Sequence, residues 1–173
     1  MELEKRQYPI GKLKLKKQYS EKEIAKFIGI LEKYPAKYKR ATKKLGPQEW
    51  SKTYREGAWN VQQLVTHISD MHILHFARFK QALCMENPVG YVANINGWNE
   101  LPEVASVPIA DGLLLLEATH RRFVHLLKTM LPTDFDRTFH HPLRQEDLTL
   151  KQALHLTAWH TRHHLEHIKI ALG

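Results

Sequence analysis

Apolar residues recur three and four positions apart through four long stretches of the chain, with polar or proline- and glycine-bearing segments between them. That spacing gathers side chains on one face of a helix. Ser20 followed by Glu23 is a capping signal ahead of IAKFIGILEKY and predicts the start of a first helix. Pro35 is expected to interrupt or kink it, after which AKYKRATKKL stays helical in composition up to Gly46 and Pro47. A second signal, Asn60 with Gln63, precedes Val61, Leu64, Val65, Ile68, Met71, His72, His75, Phe76 and Phe79, which predicts a second helix to about Leu83. The third covers about Ala110 to Met130 and ends before Pro132. Thr149 with Gln152 opens the last, which continues through KQALHLTAWHTRHHLEHIKIAL.

The connections are less regular. GPQEWSKTYREGAW reads as a loop, and residues 86 to 108, with three prolines and two glycines, read as a long irregular one of the kind that carries function. TDFDRTFHHPLRQED is polar and broken by Pro142; DRTFHH could pair as a short strand, but the segment is expected to be a loop. Four long helices without a convincing sheet imply an all-α, antiparallel (up-down) four-helix bundle. The 173 residues suit one domain, 1–173, with residues 1–18 an N-terminal extension packed on or beside the bundle.

Composition narrows the function classes. With 43% hydrophobic and 25% charged residues, the chain resembles a soluble globular protein. No stretch approaches the roughly 18 apolar residues of a membrane span, and MELEKRQYPIGKLKLKK lacks a signal-peptide core. A cytoplasmic location without membrane contact is expected. Cys84 is the only cysteine, so no intramolecular disulfide forms, and among apolar neighbours it reads as core filler rather than a nucleophile. The net charge of +8 raises the possibility of nucleic acid. However, the lysines near residues 12–17 and 37–44 read as solvated faces, and no DNA-binding motif is present, so no nucleic-acid partner is expected.

Histidine changes the picture most. Eight of the twelve lie on the second and fourth helices: His67, His72, His75, His155, His160, His163, His164 and His167. Imidazoles at i and i+4 point the same way and can reach one ion, which fits His160 with His164 and also His163 with His167. On the helical wheel His164 lies beside the buried stripe and His160 at its margin, while His163 and His167 fall toward solvent. Satisfied core histidines are the alternative reading. The wheel of the second helix places His72 and His75 on the apolar stripe and His67 on its flank, and periodicity does not choose a third ligand.

YPIGKL (8–13), YREGAWNVQQLVTHISDMH (54–72), ARFKQAL (77–83) and AWHTRHHLEHI (158–168) resemble the DinB-like superfamily, and within it the YfiT-type metal-dependent hydrolases, whose relatives include bacillithiol S-transferases. The family pattern, a Trp before the second helix, a His eight residues later and Trp-His-x-x-x-His on the last helix, falls on Trp59, His67, Trp159, His160 and His164. The resemblance therefore implies one divalent ion on His67, His160 and His164. Thr161 stands where the family usually has Gly, a departure that touches packing. ENPVGY and GWNEL also resemble the family's loop, which is expected to wall a substrate cleft.

Three imidazoles leave a fourth position open, as in catalytic rather than structural sites. Zinc is the default for such ligands, with nickel and iron also accepted. No catalytic residue is assigned beyond water on the metal. His163, Arg162, Trp59 and Arg78 are candidates to support the ligands or line the pocket; Asp70 and Glu166 are the nearest carboxylates in sequence, with Asp70 expected to face solvent. The expected function is a metal-dependent enzyme, a hydrolase or a transferase of a low-molecular-weight thiol onto small electrophiles, in a homodimer. The alternative is a non-catalytic metal-binding or dimerising bundle.

Overall fold

The three capping signals all close in the computed structural model, which describes residues 2–173. A short α1 (Leu3–Gln7) precedes α2 (Glu21–Thr42); a single-turn α3 (Pro47–Trp50), α4 (Val61–Cys84), a short α5 (Ile95–Asn99), α6 (Ile109–Thr129) and α7 (Leu150–Leu172) follow. Ser20, Asn60 and Thr149 each accept the amide three residues on, and Glu23, Gln63 and Gln152 reach back to the cap amide. Two otherwise orphaned donors are satisfied at each start.

The expected interruption at Pro35 does not occur: α2 runs through it. Proline offers no N–H to the carbonyl four residues earlier, that of Leu31. This carbonyl instead accepts the Nδ1–H of His120 on α6 at 2.7 Å, so the missing helical bond is replaced from a neighbouring helix.

Both α2 and α4 pack against α6 and α7. Helices consecutive in sequence, α2 with α4 and α6 with α7, therefore stand on the diagonals of a four-helix bundle. Its core has two apolar parts. One includes Leu31, Phe79, Phe123, Leu150 and Leu154, and the other Tyr38, Leu64, Ile68, Leu116, Leu165 and Ile168. Each fully buried Leu or Ile stabilises the fold by about 1.5–3 kcal/mol. On every long helix the residues between the two parts include a polar or helix-breaking group: Pro35 on α2, His72 and His75 on α4, His120 on α6, and His160 and Thr161 on α7.

The segment expected to be a loop after α6 is a 3₁₀ turn, Pro132–Asp136, followed by an antiparallel hairpin of β1 (Thr138–His141) and β2 (Glu146–Thr149). Phe139 faces Leu148 across it and both are buried, which sets the register. The connection from α4 to α6 is also more ordered than expected. It holds α5 and a second 3₁₀ turn, Pro102–Ala105, and is tied to α4 where Gln62 Nε2 donates to the Val104 and Val107 carbonyls at 2.9 and 2.7 Å.

The N-terminal residues lie along the bundle. Arg6 donates to the Tyr54 carbonyl and Trp159 Nε1 to the Gly11 carbonyl, each at 3.0 Å. Cys84, expected in the core, is exposed at the end of α4. Among the described residues no helix is long and apolar enough to cross a membrane.

Candidate metal centre

His67 on α4 meets His160 and His164 on α7. The ring centroids are 5.1 Å apart for His67 and His160, 4.8 Å for His67 and His164, and 4.5 Å for His160 and His164. One nitrogen from each of the three lies within 4.8 Å of the other two. The Nε2 atoms of His67 and His160 are 3.1 Å apart. Two nitrogens bound at 2.0–2.1 Å to a tetrahedral ion would be separated by about 3.3 Å. The donor set therefore fits one small divalent cation; without a cation, the same distance is an N–H···N hydrogen bond.

Burial holds these imidazoles neutral. It lowers the His67 pKa to about 4, and it pushes His160 and His164 well below the ordinary value, assisted by the neighbouring histidines. Neutral rings keep the lone pair that a metal needs.

Two overlapping trios also gather three histidines: His72, His75 and His160, and His163, His164 and His167. In the first, His72 Nε2 and His160 Nδ1 already bond to each other at 3.1 Å, and His75 Nδ1 bonds to Thr157 Oγ1 at 3.1 Å. In the second, His167 Nε2 donates to the Gln7 carbonyl at 3.1 Å. An ion on His67, His160 and His164 would leave all of those contacts in place, whereas one between His72 and His160 would replace the bond that links them.

The other sequence candidates divide. Trp59 lies against the trio, its ring 4.6 Å from His67 and 6.3 Å from His164. His163 and His167, expected toward solvent, are buried, because the N-terminal segment covers that face of α7. Tyr8 and Trp159 flank His163, and Tyr54 stacks on His167 at 3.8 Å. Burial lowers His163 to about 3. Arg78 points elsewhere: it is buried, its Nε donates to the Tyr91 carbonyl at 2.9 Å, and it lines a small cavity with His75 and His141. Arg162 is half-buried and makes no hydrogen bond to the trio among the described residues. Glu166 pairs with Lys169 at 2.7 Å. Asp70 is half-buried rather than solvent-facing, and burial with Glu103 nearby raises its carboxyl to about 6; among the described residues it makes no hydrogen bond to the trio.

His120 escaped the reading of the sequence, although Leu116, His120, Phe123 and Leu127 form the buried stripe of α6 at helical spacing. Its Nε2 lies 2.7 Å from His72 Nδ1. One turn from His67, Gln63 lines an open groove of ≈ 830 Å³ with Trp50, Asn60, Asn99 and residues of the long connection.

The DinB superfamily pattern matches residues 30–168. The chain belongs to the DinB superfamily. It is 37% identical over 161 residues to "Putative metal-dependent hydrolase YfiT" of Bacillus subtilis, covering 93% of this chain and 90% of that one. A similarly named protein of Halalkalibacterium halodurans is 38% identical, with 95% of each chain covered. The solved YfiT structure superposes with a TM-score of 0.93 at 36% identity, over 95% of this chain and 94% of that one. That protein is described as a probable metal-dependent hydrolase with an unusual four-helix bundle topology. A mycothiol-dependent maleylpyruvate isomerase shares the fold at a TM-score of 0.68 and 13% identity, over 84% of this chain and 60% of that one. Within the superfamily, then, the present chain lies with the YfiT-like members.

Proposed function

We propose that this chain is a metal-dependent hydrolase of small molecules, with His67, His160 and His164 holding one divalent ion. The observation that carries the reading is the convergence of three neutral imidazoles, joined by no carboxylate among the described residues, beside Trp59 and one turn from an open groove. The names of the relatives support the hydrolase assignment. Bound there, a divalent ion acts as a Lewis acid that activates water, or a thiol, for attack on an electrophile. The chain's own part is to hold three lone pairs at fixed spacing, exclude bulk water with Trp59, and present the substrate along the groove walled by Gln63, Asn99 and the long connection. Zinc is the first choice for three imidazoles, followed by nickel and iron.

Thiol transfer is the second reading. Neutral ligands leave the ion's full charge available to hold a low-molecular-weight thiol as thiolate. Elemental analysis of untagged protein tests the centre: about one equivalent of metal in wild type and little in His164→Ala is expected. Equal content in both, or none in either, sinks the metal reading. Turnover of ester and amide panels without added thiol supports hydrolysis, whereas turnover of alkylating electrophiles only with thiol supports transfer.

A further inference from the structure

Two hydrogen-bonded chains of imidazoles run outward from the trio, and each ends on a main-chain carbonyl. A carbonyl can only accept. His120 Nδ1, 2.7 Å from the Leu31 oxygen, therefore carries a hydrogen, and its Nε2 is a lone pair. His72 Nδ1, 2.7 Å from that Nε2, must then donate, which makes His72 Nε2 the acceptor. His160 Nδ1 lies 3.1 Å from His72 Nε2 and donates in turn. The remaining nitrogen of His160, Nε2, faces His67 as a bare lone pair.

The same logic runs in from the N-terminal segment. The Gln7 carbonyl accepts from His167 Nε2 at 3.1 Å, so His167 Nδ1 is an acceptor. His164 Nδ1 approaches it at 3.4 Å and donates across this longer contact, which leaves His164 Nε2 as the lone pair. Both chains begin at carbonyls with a structural reason to be there. Leu31 is free because Pro35 brings no amide to it, and Gln7 closes α1 where the helix has no further N–H to offer.

We infer that His120, His72 and His167 are positioning residues. From the carbonyls of Leu31 and Gln7 they set the tautomers of His160 and His164, so that both turn Nε2 lone pairs toward the centre before any ion arrives. This rests on the metal reading of the trio. A free histidine side chain favours the Nε2–H tautomer, which would place a hydrogen where the ion must bind. The relays remove that competing state, a form of preorganisation that other metal sites obtain from a carboxylate or a single carbonyl behind each ligand.

The tautomers are directly observable. In metal-free protein labelled with ¹⁵N-histidine, long-range proton–nitrogen correlation spectra should show Nδ1–H for His72, His120, His160 and His164, and Nε2–H for His167. Chelator competition with Ni²⁺ then compares wild type with His120→Leu and His120→Gln. Leucine removes both ring nitrogens and should weaken nickel binding about tenfold, with an Nε2–H signal appearing on His160. Glutamine, whose amide can donate to Leu31 and accept from His72, should recover most of the loss. An Nε2–H tautomer on His160 or His164 in the wild type, or unchanged affinity in His120→Leu, overturns the inference; the wild-type spectra decide it even if the leucine variant does not fold. Wild type that binds no nickel overturns the metal reading and this inference together. Nickel binding with the wrong tautomers overturns this one alone.

Discussion

The Tyr38 hydroxyl crosses from α2 to α7 and donates to the Thr161 carbonyl at 2.8 Å, while the Thr161 hydroxyl donates back to Thr157 at 2.8 Å. Both side chains are fully buried, so neither bond can be exchanged for water. Tyr38→Phe should lower unfolding free energy by about 1 kcal/mol, read as a shifted urea midpoint at unchanged slope. Asp70 makes a prediction of opposite sign. Its carboxyl is raised to about 6, so between the ordinary value of 3.8 and about 6 the folded state binds the proton that the unfolded state has released. Its contribution to stability therefore falls as pH rises through that window. Asp70→Asn should raise the melting temperature at pH 7.5 and leave it nearly unchanged at pH 3.5. Neither effect was legible from residue type alone: the wheel turned Asp70 toward solvent, and only the neighbouring connection with Glu103 encloses it.

Among the elements, the helices were legible because their signals are local. Caps and apolar spacing lie within a few residues of the atoms they satisfy, and α4, α6 and α7 begin and end within one or two residues of the sequence expectation. The hairpin was not, because strands of four residues offer too little alternation to set against Pro142 and a run of charge. What makes it a hairpin is tertiary: Phe139 and Leu148 are buried against the bundle, and the Pro88–Gly90 stretch bonds to both the amide and the carbonyl of His140. Gly90 is required there, because an added Cβ would lie 2.8 Å from the buried Phe139 ring and 3.3 Å from the His140 carbonyl. Gly90→Ala should cost about 1–3 kcal/mol in chemical unfolding and loosen the connection, with faster amide exchange at residues 88–94.

Across the whole molecule, a polar layer of histidines separates two apolar cores. It is held together only while its rings are neutral. Burial lowers His67 and His120 to about 4 and His163 to about 3, whereas in the unfolded chain these rings titrate near the ordinary value of 6.5. As pH falls through that window the unfolded state takes up protons that the folded state refuses, so stability is present above about 6.5 and lost progressively toward 4. Urea midpoints of metal-free protein should be flat from pH 8 to 7 and then fall with a slope of more than one proton; a flat profile down to pH 5 would contradict the buried layer. A saturating divalent ion should raise the midpoint at pH 7.5 by selective binding to the folded state.

The sequence by itself determined four amphipathic helices, the caps of three of them and the one-turn spacing that puts His160 and His164 on one face. All of these depend on contacts within a few residues, which local periodicity records. It also marked His67, through a family resemblance rather than through its wheel. Tertiary structure decided which helices are neighbours, that the N-terminal segment buries His163 and His167, and that Pro35 on one helix releases a carbonyl for His120 on another. Those facts join residues tens of positions apart. A hydrogen bond between helices leaves no period in either one, so only the folded chain reveals it.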